Sequence, residues 1–292
     1  MTASTDRPAL QPAFVLTLVC RDRVGIVAAV SRAIADKDCN ITESAQFGDP
    51  ATGMHFMRLV FTAPAGVSAE SFTKAFAPVA DHFAMTWRLW DAHQRPRVVI
   101  LVSRHDHCLV DLIYRWRLGS LPMDIVSIVS NHDDARALAD QHGIAFHHLP
   151  VTRQTKASQE AEIIDLIGRD KADLVILARY MQILSDTLTA RLAGQCINIH
   201  HSFLPSFKGA APYSQAHARG VKLIGATAHY VTSDLDEGPI IEQETERVTH
   251  AMSVDEFVAI GREIEARVLA RAVKMHVEHR VFQNGGKTVV FR

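Results

Sequence analysis

Apolar and polar positions along the chain follow two different patterns. The first begins with AFVLTLVC, an apolar strand from Ala13 to Cys20, and continues into GIVAAVSRAIADKD, where apolar residues recur at helical spacing. ITESAQFGD and MHFMRLVFTA then read as two strands separated by the turn residues Asp49-Pro50-Ala51-Thr52-Gly53. SAESFTKAFAPVADHF predicts a second helix capped by Ser68 or Ser71, and MTWRLWD predicts a closing strand. The order βαββαβ over residues 13–91 is the ferredoxin-like split arrangement. The polar stretch AHQRPR contains a linker at 92–96, and residues 1–12, with two prolines, are expected to be a flexible terminus.

From Arg97 onward, strands and helices alternate. RVVILVS, DIVSIVS, AFHHLPV and ADLVILA are strand runs, most of them continuous and β-branched, and the segments through DLIYRWRLG, DDARALADQH and SQEAEIIDLIGR are helical. Strands of that composition are buried on both faces, so residues 97–292 are expected to form a doubly wound, mostly parallel α/β domain. Ligands bind such sheets beyond the carboxyl ends of the strands, which directs attention to the residues after RVVILVS, ADLVILA and CINIH. Beyond His200 the pattern predicts a loop-rich stretch, the strands GATAHYVTS and PIIEQETERV, a long helix from about Ser253 to His279, and a hairpin with a Gly-Gly turn in VFQNGGKTVVFR.

Composition narrows the function classes. The chain has 292 residues, enough for about two domains at roughly 150 residues each. Its 31 Lys+Arg and 32 Asp+Glu give a net charge of -1, so bulk electrostatics do not recommend nucleic acid as a partner. No apolar run approaches the roughly 20 residues needed to span a bilayer, and the first one lacks the features of a signal peptide. Cys20, Cys39, Cys108 and Cys196 form no CxxC pair, which suits a reducing cytoplasm and suggests neither disulfides nor a zinc knuckle. The 16 histidines include the alternating His105 and His107 and the adjacent pairs His147-His148 and His200-His201, but no HExxH or Cys-bearing metal spacing accompanies them, so no metal site is expected.

The densest cluster of polar and turn residues is INIHHSFLPSFKGAAPY, Ile197 to Tyr213. Asn198 and His200 alternate with Ile197 and Ile199, so an amide donor and a titratable imidazole point to one face at a strand's carboxyl end. That pair suits acyl chemistry, in which a carbonyl becomes a tetrahedral oxyanion that needs nearby donors. Downstream, Leu235-Asp236-Glu237-Gly238-Pro239 supplies carboxylates in a tight turn, able either to hold the imidazolium or to act as base on a water.

The string INIHHSFLPSFKGAAPYSQAHARG followed by GATAHYVTSDLDEGPIIEQ resembles the signature of the folate-dependent formyltransferase family, and the resemblance covers Arg97 to Arg292. It implies that Asn198, His200 and Asp236 form a catalytic trio acting on 10-formyltetrahydrofolate. It also implies that Met181, Gln182, Ile183 and Leu184, together with Val231, Thr232, Ser233 and Asp234, line the folate pocket, with His105 as a further substrate contact. Family members that formylate glycinamide ribonucleotide carry a glycine-rich phosphate loop after the first strand; here Ser103-Arg104-His105-Asp106-His107-Cys108-Leu109 has no glycine. Members that formylate tRNA carry their extra module at the carboxyl end, whereas this one is N-terminal. That N-terminal unit, AFVLTLVCRDRVGIVAAVSRAIADKDCNI, resembles an ACT regulatory domain, which implies an amino-acid effector at Asp22, Arg23, Val24, Gly25 and Ile26 and edge-to-edge pairing into a homo-oligomer, a dimer or tetramer.

The combined layout implies the hydrolytic branch of the family, which passes the formyl group to water without a metal or redox cofactor. The formate released would feed purine synthesis and balance the one-carbon folate pool. The competing expectations are transfer to an amine acceptor and an amino-acid-sensing binding protein whose catalytic domain is retired. The intact trio weakens the second of these.

Overall fold

The computed structural model describes residues 11–204 and 212–292. Residues 1–10 of the expected flexible terminus, and residues 205–211 within the polar cluster after His200, lie outside the described residues. The chain divides into two compact units, one reaching to Gln94 and the other starting at Arg95.

The first unit comprises β1 (Ala13–Arg21), α1 (Ile26–Ala35), β2 (Asn40–Asp49), β3 (Met54–Thr62), α2 (Ala69–Phe83) and β4 (Thr86–Asp91). Its antiparallel sheet has the order β2-β3-β1-β4. The period of the sequence explains the packing: Ile26, Val30 and Ile34 recur every fourth position on α1, and Phe72, Phe76, Ala80 and Phe83 form the corresponding stripe on α2. Both stripes bury against Leu16, Leu18, Leu59 and Phe61 of the sheet. Ser68 is the cap of α2: its hydroxyl accepts from the Ser71 N–H at 3.1 Å, and the Ser71 hydroxyl accepts from the Ser68 N–H at 3.0 Å.

The second unit runs β5 (Arg97–Val102), α3 (His107–Arg117), β6 (Asp124–Ser130), α4 (Arg136–Gln141), β7 (Ala145–His148), α5 (Lys156–Arg169), β8 (Leu174–Leu177), α6 (Asp186–Arg191), β9 (Cys196–His200), α7 (Pro212–Ala218), β10 (Leu223–Tyr230), β11 (Ile240–Arg247) and α8 (Val254–Val277), and ends in the β12 (Val281–Asn284) and β13 (Lys287–Val290) hairpin. Seven strands form one sheet, ordered β11-β10-β9-β8-β5-β6-β7. The five from β5 to β9 pair in parallel, and β10 and β11 are antiparallel. Along β5, Val98, Ile100 and Val102 pack with Leu109 and Leu112 of α3 and Ile264 and Val268 of α8, while Val99 and Leu101 pack with Ile163 of α5 and Leu188 of α6. Helices therefore cover both faces, as a doubly wound sheet requires.

Two short helices depart from the sequence expectation. In α6 (DTLTAR), two β-branched threonines in six residues leave no helical apolar period to read, and the turn is held instead by the Ser185 hydroxyl accepting from the Leu188 N–H and by burial of Leu188. The helix α7 lies inside the stretch expected to be loop-rich, where Pro212 sits at its first position. Among the described residues, no helix is long and apolar enough to cross a membrane.

The long helix α8 also buries a titratable group. His276 Nδ1 accepts from the Tyr230 hydroxyl at 2.7 Å, and burial pushes the imidazole down to about 4 from its ordinary 6.5. Because the folded pKa is the lower one, the unfolded chain binds the extra proton between those two values, and stability falls as the pH falls through that window. Urea unfolding between pH 7 and 4.5 is expected to show this loss, and His276→Gln, which keeps an acceptor for Tyr230, to reduce the slope by about one proton.

Candidate active site

The site is assembled where the sheet changes from parallel to antiparallel. On β9, Asn198 and His200 point to one face, and the antiparallel register sets His229 of β10 directly opposite Asn198. The loop from Val231 to Pro239 then starts beside Cys196, the first residue of β9, and folds back along that strand toward His200. The Tyr230 N–H donates to the Pro239 carbonyl at 3.0 Å, the Val231 N–H to the Cys196 carbonyl at 2.9 Å, and the Glu237 N–H to the Asp234 carbonyl at 3.2 Å. Two positions in this loop accept only particular backbones. Asp236 adopts the left-handed conformation at φ 57°, and a Cβ on Gly238 would lie 1.7 Å from the Tyr230 carbonyl oxygen.

These constraints aim the Asp236 carboxylate at three side chains. Its Oδ2 lies 3.3 Å from His200 Nδ1, and its Oδ1 lies 3.6 Å from His229 Nε2 and 3.5 Å from the Asn198 Nδ2 that donates to it. The His229 Nδ1–H donates to the Tyr230 carbonyl at 2.9 Å, which orients the ring with Nε2 toward Asp236 and 3.3 Å from the Asn198 amide. Burial alone would raise the Asp236 carboxyl, but hydrogen bonds to His200 and His229 outweigh it and hold the group well below the usual carboxylate range. His200 Nε2, on the other side of its ring, is buried with no hydrogen-bond partner among the described residues. The result is an ionised carboxylate on one imidazole nitrogen and a free second nitrogen, an arrangement suited to moving a proton.

This trio lines a cavity of about 310 Å³. Met181, Gln182, Ile183 and Leu184 form one part of its wall, and Val231, Thr232, Ser233 and Asp234 another. Met181 and Ile183 are half exposed or more, which leaves apolar surface available to a flat ring, while Leu184 is mostly core. His105, expected as a substrate contact, is not among the residues lining the cavity; it precedes α3, near Arg179, Arg262 and His107. Arg179 and His201 do line the cavity, and burial first, then the Arg179 charge, push His201 down to about 4.

A second polar group lies behind Arg179. Glu265 of α8 accepts from the Tyr213 hydroxyl at 2.7 Å through Oε1, while its Oε2 lies 2.8 Å from His107 Nε2 and 3.3 Å from Arg179 Nε. Burial would raise this carboxyl, but the His107 hydrogen bond, the Arg179 charge and the Tyr213 hydroxyl bring it below its ordinary value. His107, Cys108 and Glu265 offer ligand atoms within 4.8 Å of one another. The donor set suits a metal poorly: Glu265 already serves a guanidinium and a hydroxyl, and burial holds the Cys108 thiol well above its ordinary value, far from the thiolate a metal needs. Glu265 was open to detection in the sequence as a carboxylate on the apolar stripe of Ile264 and Val268. Its partners, from distant segments, were not.

In the first unit, Gly25 at φ 97° caps α1, and Val24 is fully exposed. Asp22 lies 3.5 Å from the ring of His55, and the Arg23 guanidinium sits 4.4 Å over the Phe83 ring. His55, absent from the sequence reading, is buried and its Nε2 has no hydrogen-bond partner among the described residues.

The formyl transferase family matches residues 96–273, and the ACT domain family matches residues 14–68. A formyltetrahydrofolate deformylase from Corynebacterium sp. (strain P-1) is 48% identical, covering 95% of this chain and 98% of its own. The crystal structure of a formyltetrahydrofolate deformylase from Burkholderia mallei matches with a TM-score of 0.92 at 53% identity, covering 96% of this chain and 100% of the other. Glycinamide ribonucleotide transformylase 1 from Symbiobacterium toebii matches with a TM-score of 0.64 at 27% identity, covering 69% of this chain and 96% of its own.

The tight contact under Gly238 is open to test. Gly238→Ala is expected to cost about 1–3 kcal/mol in urea unfolding, because the new methyl has no space. It should also break the His200–Asp236 contact, seen as a shift of the His200 ring nitrogen resonances.

Proposed function

This chain belongs to the formyl transferase family, among the formyltetrahydrofolate deformylases, and we propose that it hydrolyses 10-formyltetrahydrofolate to formate and tetrahydrofolate with Asn198, His200 and Asp236 as its catalytic groups. The observation that carries the reading is the placement of the ionised Asp236 carboxylate on His200 Nδ1, with His200 lining the cavity and its Nε2 without a hydrogen-bond partner among the described residues.

The folate ring system lies against Met181, Ile183 and Val231, and its formyl carbon sits beside His200 Nε2. The imidazole takes a proton from a water as the water oxygen adds to the formyl carbon. Asp236, too weak a base to keep that proton itself, stabilises the imidazolium through Nδ1. The Asn198 amide supplies a hydrogen bond to the oxyanion of the tetrahedral intermediate. The imidazolium then protonates the folate nitrogen as the C–N bond breaks, and the formic acid loses its proton to solvent. Hydrolysis changes no oxidation state, so the reaction requires no redox cofactor, and the Asp236–His200 pair provides the activation of water that a metal would otherwise supply.

In the first unit, Asp22, Arg23, Val24, Gly25 and Ile26 form the amino-acid effector site. Gly25 admits close approach of a carboxylate to the start of α1, and the buried His55 supports Asp22 from beneath.

Purified protein is expected to release formate from 10-formyltetrahydrofolate with no added acceptor. Asp236→Asn and His200→Ala should lower kcat by about 10²–10⁴-fold while the far-UV spectrum is unchanged, the range that general acid–base groups contribute. A loss of less than about tenfold in both variants would overturn their assigned roles. For the effector, isothermal titration of the full chain with glycine and with methionine is expected to give heat that Asp22→Ala abolishes; silence with every amino acid would remove the effector site.

A further inference from the structure

The proposed hydrolysis uses the half of the cleft around Asn198, His200 and Asp236. Another part of the cavity wall is Arg179, with Glu265 behind it, two charged side chains that the chemistry itself does not use. Arg179 follows β8 at φ 64°, a left-handed conformation that glycine adopts freely and that strains a residue with a side chain. Even so, its side chain is nine-tenths buried and held 3.3 Å from Glu265. Glu265 is fixed in turn by Tyr213 and His107, and a Cβ on Gly261, one turn earlier on α8, would come within 2.1 Å of Tyr213 Cζ, so the helix leaves a slot for that ring. The end of β8, the start of α3, α7 and α8 thus converge on one buried carboxylate.

The location gives this cluster its meaning. The strand order reverses between β5 and β8, and open α/β sheets take their ligands at that point, beyond the carboxyl ends. The Arg179 carbonyl accepts from the Ser103 N–H at the end of β5 at 3.3 Å, and His107 is the first residue of α3. The similar fold of a glycinamide ribonucleotide transformylase must seat an amine ribonucleotide next to the formyl donor. A hydrolase must instead admit water and exclude such an amine.

We propose that Arg179, clamped by Glu265, is a specificity-determining residue that closes the acceptor side of the cleft, so that water reaches the formyl carbon and amines do not. The inference rests on the hydrolase reading above. In the intact cleft, the water oxygen bonds to the formyl carbon, the bond to the folate nitrogen breaks, and that nitrogen leaves with a proton from the water. With the Arg179 side chain removed, a primary amine takes the place of water. Its nitrogen bonds to the same carbon, the folate nitrogen leaves with the proton the amine gives up, and the products are an N-formyl amine and tetrahydrofolate, with no electrons gained or lost.

The test compares the intact protein, Arg179→Gly and Glu265→Gln, each supplied with 10-formyltetrahydrofolate alone, with glycinamide, or with glycinamide ribonucleotide. The readout is the ratio of N-formyl amine to formate. Glycine suits the left-handed position, and glutamine keeps hydrogen bonds to Tyr213 and His107 while releasing the guanidinium. The intact protein is expected to yield formate alone. Arg179→Gly should raise the ratio by about tenfold or more with at least one amine, and Glu265→Gln by a smaller factor, the scale on which single pocket contacts discriminate between reactants. A folded Arg179→Gly protein whose ratio stays within about twofold of the intact protein with both amines overturns the proposal. If Arg179→Gly does not fold, an unchanged ratio in Glu265→Gln overturns it instead. Failure of the intact protein to release formate in the arm without amine would sink the hydrolase reading, and this inference with it.

Discussion

The contact between the Asp236 carboxylate and His200 Nδ1, 3.3 Å across, organises the second unit's chemistry, and much of the surrounding structure exists to hold it. A carboxylate in a loop is ordinarily solvated and mobile. This one is pinned by a left-handed backbone at Asp236, by a glycine at 238 that lies against the Tyr230 carbonyl, and by the hydrogen bonds of Tyr230 and Val231 that close the loop onto β9. Each of these depends on β10 running antiparallel beside β9 after five parallel strands.

The same unit solves a second electrostatic problem with a different device. Glu265 is as deeply buried as any core residue, and an isolated carboxylate there would be expensive. Two cationic or titratable partners and one hydroxyl offset that cost, drawn from segments that lie 52 to 158 residues away in the chain. Such a group resists replacement one residue at a time, since removing any partner leaves a buried charge incompletely paired. The two carboxylates therefore divide the work: Asp236 holds His200 through Nδ1 and leaves its Nε2 unpartnered among the described residues, and Glu265 is consumed in holding Arg179 in place.

Much of the fold was legible in the amino-acid pattern because its elements are locally consistent. The four-residue spacing of Ile26, Val30 and Ile34, the capping serine at 68, and the continuous β-branched runs of β5 and β6 each state their structure within a few residues. The short α6 and α7 were not legible, because helices of six or seven residues carry too little period to register and are held by tertiary packing. His105 follows a strand end, as the pattern indicates, and stands near Arg179, Arg262 and His107 just before α3 without being among the residues that line the cavity.

The sequence by itself determined the two-unit layout, the strand on which Asn198 and His200 share a face, and the turn that carries Asp236, because alternation, capping and turn chemistry act over neighbouring residues. Only the tertiary structure decided that His229 stands opposite Asn198, that Arg179 reaches Glu265, and that Tyr213 fills the slot at Gly261. Those pairings follow from strand order and helix packing across distant segments, and the free energy that selects them is shared by the whole sheet and its covering helices, so no local pattern records it.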